Sequence, residues 1–209
     1  MFPLQFRVRH IFLVLTTVAI WLGIQSHRSR TQAAAVSAIR ALGGAVFYTC
    51  DPKPSLESQT PPNEMSPIAK LLVSLFPKDF LYTVHSAVFF DVRINDDDLR
   101  HLESLPNLRL LFLSGTDITD DGLRHLQPLT NLEVLNLSGS KIRGPGIQHL
   151  RNLSKLRYLE LANMPVSDCA VEYLLELDSI ESLLINGTDL SEHAIAQLRR
   201  ARPNCELFQ

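Results

Sequence analysis

His101, His125 and His149 recur every 24 residues. Imidazole is the commonest protein ligand for metal ions, so the row invites a metal site. One zinc ion needs its nitrogen donors at about 2.0–2.1 Å. Equivalent places on successive helical units lie ~8–10 Å apart, too far to share an ion. Tyr173 and Gln197 occupy the next two places, so the row reads as one outward position of a repeated unit. Asp96, Asp97 and Asp98 are oxygen donors in a run, but they lack the ligand spacing of a calcium loop. They read as acids at a helix start. Cys50, Cys169 and Cys205 are odd in number and form no CxxC pair. That argues against a disulfide framework and against zinc, and the three read as small buried apolar residues. Asn136, Asn152 and Asn186 each open an N-x-S/T sequon, which matters only in a glycosylating compartment. The chain has no Gly-rich phosphate loop and no GxSxG, and no cysteine has an obvious base beside it. The reading is no catalytic residue, no cofactor, no metal and no enzyme.

The histidine spacing is one symptom of a longer pattern. Blocks of 24 residues begin at Val84, Leu108, Leu132, Leu156 and Ile180. Seven positions are apolar in all five blocks: the first, fourth, sixth, eleventh, sixteenth, nineteenth and twenty-second. At 45% apolar content chance agreement is roughly 10⁻¹², so the period is real. Positions four and six alternate as a short strand requires. Positions sixteen, nineteen and twenty-two fall three apart, on one face of a helix.

Position eight is Asp91, Gly115, Gly139, Asn163 and Gly187, all types that tolerate a left-handed backbone, so the chain turns there. Position twelve is Asn95, Thr119, Arg143, Ser167 and Ser191, and four of these are N-cap residues. A single repeat cannot bury its own apolar strip, but stacked repeats share one core. Strands pack ~4.8 Å apart and helices more widely, so the stack curves with the sheet inside.

LRLLFLSGT, LEVLNLSGS and IESLLINGT match the LxxLxLxxN/T core of leucine-rich repeat proteins. ITDDGLRHLQPLTN and VSDCAVEYLLELDS resemble the helical half of the 24-residue class. LRRARPNCELF resembles the final half-repeat of such arrays with one inserted residue, so a terminal half-repeat is read from residue 204. The resemblance covers residues 84–209. RVRHIFLVLTTVAIWLGI followed by AIRALGGAVFY more loosely resembles bacterial proteins that tether such an array to a membrane. The resemblance implies an α/β leucine-rich repeat solenoid, or horseshoe, with a parallel concave sheet, helices on the convex side and ligand binding on the concave face. Val92 and Met164 depart from the pattern, because they stand where Asn or Thr usually bonds buried backbone. Those two loops should be less well satisfied.

The concave face is expected from positions two, three and five. Position two is His85, Arg109, Glu133, Arg157 and Glu181. The signs alternate from Arg109 onward, so neighbours can pair across strands. Leu110, Phe112, Val134 and Tyr158 should form an exposed apolar and aromatic patch, flanked by Asn136, Glu160 and Leu184. Arg109, Leu110, Phe112, Val134, Asn136, Arg157, Tyr158, Glu160 and Leu184 are the candidate contacts for a protein or peptide ligand.

Residues 1–27 read as a membrane anchor, 28–83 as a cap region and 84–209 as the array. Ile11 to Ile24 is apolar apart from Thr16, Thr17 and Gly23. As a helix its 14 residues span about 21 Å, short of the ~30 Å hydrocarbon core. A cleaved signal peptide is the rival reading, with Ala33–Ala35 as the cleavage site. That site lies far beyond the apolar run, past Arg28 and Arg30, so an uncleaved single-pass transmembrane helix is favoured. A buried amphipathic helix fits less well, since the run is apolar all round. Arg7 and Arg9 precede the run as Arg28 and Arg30 follow it, so the positive-inside rule favours neither orientation.

Gln32 to Leu42 reads as a short helix stopped at Gly43-Gly44, and Ala45 to Tyr48 as a strand. Together they would cap the array's first repeat. Asp51 to Met65 is a Pro-rich loop. Ser66-Pro67 starts a helix with Ile68, Leu71, Leu72 and Leu75 on one face, either more cap or a docking element. Residues 1–83 hold 8 Lys/Arg against 4 Asp/Glu, and residues 84–209 hold 12 against 18. An acidic array does not suit nucleic acid. The expected function is a membrane-tethered protein–protein interaction module. The alternative is a structural envelope protein that only self-associates.

Overall fold

The computed structural model describes residues 4–48, 83–90 and 92–209; side chains of residues 4–15, 18 and 90 lie outside that description. The Pro-rich loop, the helix expected after Ser66, Cys50 and Asp91 also lie outside it.

Seven strands form one sheet in chain order. They are β1 (Ala45–Tyr48), β2 (Val84–Phe90), β3 (Leu110–Ser114), β4 (Val134–Asn136), β5 (Tyr158–Glu160), β6 (Ser182–Leu184) and β7 (Glu206–Phe208). From β2 to β7 every pairing is parallel and in register by one repeat, so Leu111, Leu135, Leu159, Leu183 and Leu207 stand in line. β7 continues the same register one repeat beyond β6. After β3, β4, β5 and β6 the left-handed turn forms as expected. Gly115, Gly139, Asn163 and Gly187 have φ of 69°, 70°, 54° and 68°. At Gly187 a Cβ would come 2.6 Å from the Asn163 side chain, so the position excludes larger residues on two counts.

The helical side differs from expectation in kind. Residues Asp96–Ser104, Asp120–Leu126, Pro145–Leu150 and Asp168–Ala170 are 3-10 helix. The α-helices of the array are α2 (Val171–Leu175) and α3 (Glu192–Ala201). The apolar spacing explains the difference. Side chains at i and i+3 eclipse in a 3-10 helix, so positions sixteen, nineteen and twenty-two make one straight strip. Leu123, Leu126 and Leu129 are fully buried on it. One continuous core runs from Ala35 to Leu198.

The cap is built as the sequence suggests, with one change. The anchor run and the cap helix are a single 38-residue helix, α1 (Leu4–Ala41). Its end carries Ala35, Val36 and Ile39 into the core, and it packs on the 3-10 helix at Asp96–Ser104. Gln32 accepts a hydrogen bond from the Val84 N–H. β1 then closes the sheet by pairing antiparallel with β2, which removes a bare parallel edge. Among the described residues no helix is long and apolar enough to cross a membrane. The apolar side chains that are described, Ile20, Trp21, Leu22 and Ile24, are 42–63% exposed.

Cys169 is exposed, contrary to the expectation of a buried thiol. It holds the fourteenth repeat position, with Asp97, Asp121, Pro145 and His193, and all five face solvent. Cys205 is half-buried against the core, and that burial pushes its thiol above the usual range.

Candidate functional site

Helices cover one face of the sheet, and side chains at repeat positions three, five and seven point from the other. Parallel register places them in rows across the strands. Row three runs Ser86, Leu110, Val134, Tyr158, Ser182, Glu206. Its two serines are buried and its middle is open: Leu110 and Val134 are half-exposed and Tyr158 is 49% exposed. Row five runs Val88, Phe112, Asn136, Glu160, Leu184, Phe208. It is apolar at both ends and polar in the centre.

Leu110, Val134 and Tyr158 thus stand side by side across β3, β4 and β5, with Phe112 two residues on from Leu110, in one apolar patch where Tyr158 is exposed and the other three are half-buried. Leu184 does not join it. Asn136 and Glu160 separate it from Phe112, and it lies beside Phe208, which is also 49% exposed.

The polar centre is a network. Asn136 Nδ2 donates to Glu160 Oε2 at 2.7 Å, and Ser138 Oγ donates to Oε1 at 2.8 Å. Asn136 Oδ1 in turn accepts from Ser114 Oγ and from the Ser138 N–H, both at 2.9 Å. The Glu160 carboxylate is held by one neutral donor on each oxygen. No Lys, Arg or His stands within ion-pair distance of it among the described residues. Ser114 and Ser138 were not among the expected contacts, although the strand's period of two continues to position seven and points them at this face.

The charged row at position two pairs as its signs suggest. Arg109 grips Glu133 with two bonds, Nε to Oε1 at 2.9 Å and Nη2 to Oε2 at 2.7 Å. The bonds to Arg109 and its charge hold the Glu133 carboxyl below its usual range, and the same bonds with the Glu133 charge push the Arg109 guanidinium above its own. Arg157 and Glu181 meet at 3.4 Å. Both pairs are exposed enough to be screened, so each contributes ~0.2–1 kcal/mol.

Among the described residues no group of three or more His, Cys, Asp or Glu is placed to hold a metal ion. His125 Nδ1 instead meets Glu103 Oε1 at 2.5 Å, and His149 Nδ1 meets Gln127 at 2.9 Å. Of the sequons, Asn152 and Asn186 are exposed, while the Asn136 amide is engaged in the network.

No protein-family model matches the sequence, and no curated protein matches it. Solved structures do. An internalin of Listeria monocytogenes is similar over 53% of this chain and 31% of its own, at 24% identity and a TM-score of 0.45. A leucine-rich repeat protein of Leptospira interrogans is similar over 53% and 27%, at 28% identity and 0.44. PEPR1, in the PEPR1–AtPEP1 structure, is similar over 61% and 18%, at 19% identity and 0.41. The chain spans less than a third of the length of each. The 24-residue period and the parallel sheet with one strand per repeat, both properties of this chain itself, make residues 84–209 a leucine-rich repeat solenoid.

Proposed function

We propose that the array is a binding module that holds a protein or peptide segment on the open face of its sheet. The observation that carries this is the cluster of half-buried Leu110, Phe112 and Val134 around exposed Tyr158, with the Glu160 network and the Arg109–Glu133 pair at its rim. An apolar centre with a polar rim is the usual anatomy of a recognition surface.

The test is photo-crosslinking in the producing cell. A photoreactive residue replacing Val134 should give discrete adducts, and one replacing Arg151 on the helical side should not. Combining it with Phe112→Ala and Tyr158→Ala should erase the adducts. Equal labelling from both faces sinks the reading. Adducts at twice the chain mass show self-association instead.

The proposal includes a membrane tether through Ile11–Ile24. It draws support from Ile20, Trp21, Leu22 and Ile24, whose exposed apolar surface needs an apolar neighbour. The full chain should stay with membranes through alkaline carbonate extraction, and Leu22→Arg should release it. A wild-type chain found in the supernatant rejects the tether.

A further inference from the structure

We infer that the occupant of the open face is an extended peptide segment carrying a Lys or Arg side chain that reaches Glu160, with apolar residues beside it lying on Phe112, Val134 and Tyr158. This rests on the binding reading above and names the chemistry of the partner.

Charge balance on the face comes first. Glu133 is neutralised by Arg109 and Glu181 by Arg157. Glu160, in the middle of the strip, has no such ion-pair partner among the described residues, and neither has Glu206 at the β7 end. The Glu160 carboxylate is half-buried and carries two neutral donors. A carboxylate offers about four acceptor sites, so each oxygen keeps one for an incoming donor. The donors also fix its orientation. Asn136 is itself held by Ser114 and by the Ser138 backbone, so the network is braced from two neighbouring strands.

Geometry supplies the second part. Tyr158 precedes Glu160 by two residues on β5, on the same face, and its ring is 49% exposed. An aromatic ring next to a carboxylate suits a basic side chain, whose stem lies on the ring while its head meets the charge. Phe112 stands two strands away in the same row as Glu160, about 10 Å at ~4.8 Å per strand. That separation fits an apolar side chain a few residues along an extended segment at ~3.3 Å per residue. Strands β2 to β7 make a strip about 24 Å wide, which accommodates roughly seven such residues. The strip is small for a folded domain's interface and long enough for a peptide.

The experiment is selection of a phage-displayed library of random linear peptides, each of roughly seven residues, on the full chain in detergent micelles. Three proteins are compared: wild type, Glu160→Gln, and Phe112→Ala with Tyr158→Ala. Circular dichroism checks that each is folded. The expected result is enrichment of a Lys or Arg flanked by apolar residues on wild type. On Glu160→Gln the basic preference should vanish and the same peptides should bind about tenfold more weakly, the size of one charge-assisted bond. The double variant should enrich nothing. Enriched peptides without a basic residue, equal on wild type and Glu160→Gln but lost on the double variant, overturn the cation assignment and leave the binding face standing. Peptides that survive the double variant, or no enrichment at all, overturn both.

Discussion

The two faces of the solenoid use polar side chains in opposite ways. On the helical side several reach across repeat boundaries to backbone, beside side-chain pairs such as His125–Glu103 and Gln127–His149. Asp96 accepts from the Thr119 N–H and hydroxyl, and Asp168 does the same for Ser191. Asp120 accepts from three N–H groups, those of Arg143, Gly144 and Gly146. Arg202 donates to the carbonyls of Leu175 and Leu177, and Asn131 to that of Pro106. On the open face the polar side chains bond mainly to each other, as in the Arg109–Glu133 pair and the Glu160 network. A side chain that satisfies backbone cannot let go without orphaning a donor. A side chain bonded to another side chain can exchange its partner for a ligand's group. The first arrangement builds a scaffold, and the second leaves a surface for recognition.

Breaking the scaffold side should cost most. Asp120→Ala removes the acceptor for three N–H groups at the start of the 3-10 helix Pro145–Leu150. That helix has no side-chain cap of its own, because its N-cap is Gly144. Urea unfolding should show a loss of about 2–4 kcal/mol. A loss under about 0.5 kcal/mol would show that water replaces the carboxylate without penalty, and the contrast between the faces would fail.

The open face should behave differently. Phe112→Ala with Tyr158→Ala removes one half-buried and one exposed ring, so stability should drop by about 2–3 kcal/mol in all. Peptide affinity should nevertheless fall at least about tenfold, since these rings are the expected anchors. Isothermal titration beside urea unfolding separates the two effects. A double variant that unfolds outright would make the patch part of the core.

This division was only half legible in the sequence. The period, the strands, the left-handed Gly115, Gly139, Asn163 and Gly187, and the closing half-repeat all follow from side-chain size and spacing. Spacing also assigned Leu110, Phe112, Val134 and Tyr158 to the open face. It did not reveal what the recurring aspartates do. Asp96, Asp120 and Asp168 look like acids at their own helix starts, yet each bonds the start of the next repeat. Periodicity says which face a residue occupies and is silent on which neighbour its rotamer selects. The glycines beside them carried a signal. A Cβ at Gly146 would come 2.5 Å from the Asp120 carbonyl oxygen, so a small residue there marks close approach of the preceding repeat. Ser114 and Ser138 escaped notice for a related reason: serine is common in such turns, and only the register shows that both serve the Glu160 network.

Acid should reach both faces, for separable reasons. The Asp168 carboxyl lies below its usual range, chiefly through the Ser191 hydroxyl and N–H, and Glu133 lies below its own chiefly through Arg109. A carboxylate with a depressed folded pKa stabilises the fold above its unfolded pKa, near 3.8 for Asp and 4.5 for Glu. That contribution is lost as pH falls through the lower folded value. The urea midpoint should therefore decline below about pH 4.5, and Asp168→Asn and Glu133→Gln should each flatten part of the decline. Salt near ~0.5 M should remove the Glu133 part, which is an exposed ion pair, and spare the Asp168 part, which is hydrogen bonding to a neutral group. If salt removes both parts equally, the helical-side aspartates act as charges and not as caps.

The smallest effect comes from two hydroxyls at one repeat position. Thr116 and Ser140 are each 3% exposed. The Thr116 hydroxyl donates to the Leu113 carbonyl at 2.9 Å, as Thr188 does to Ile185. Ser140 Oγ, one repeat on from Thr116, is buried without a partner. Met164 holds the same position one repeat further on and is packed into the core at 2% exposure. Losing a made bond and its methyl group in Thr116→Ala should cost about 1–2 kcal/mol. Ser140→Ala removes an unpaired polar atom and should be neutral or stabilising by up to about 0.5 kcal/mol. Chemical denaturation of the two variants side by side measures the difference. Equal losses would mean that Ser140 finds a partner in solution. The turn would then be uniform from repeat to repeat, each hydroxyl at this position closing it with a bond.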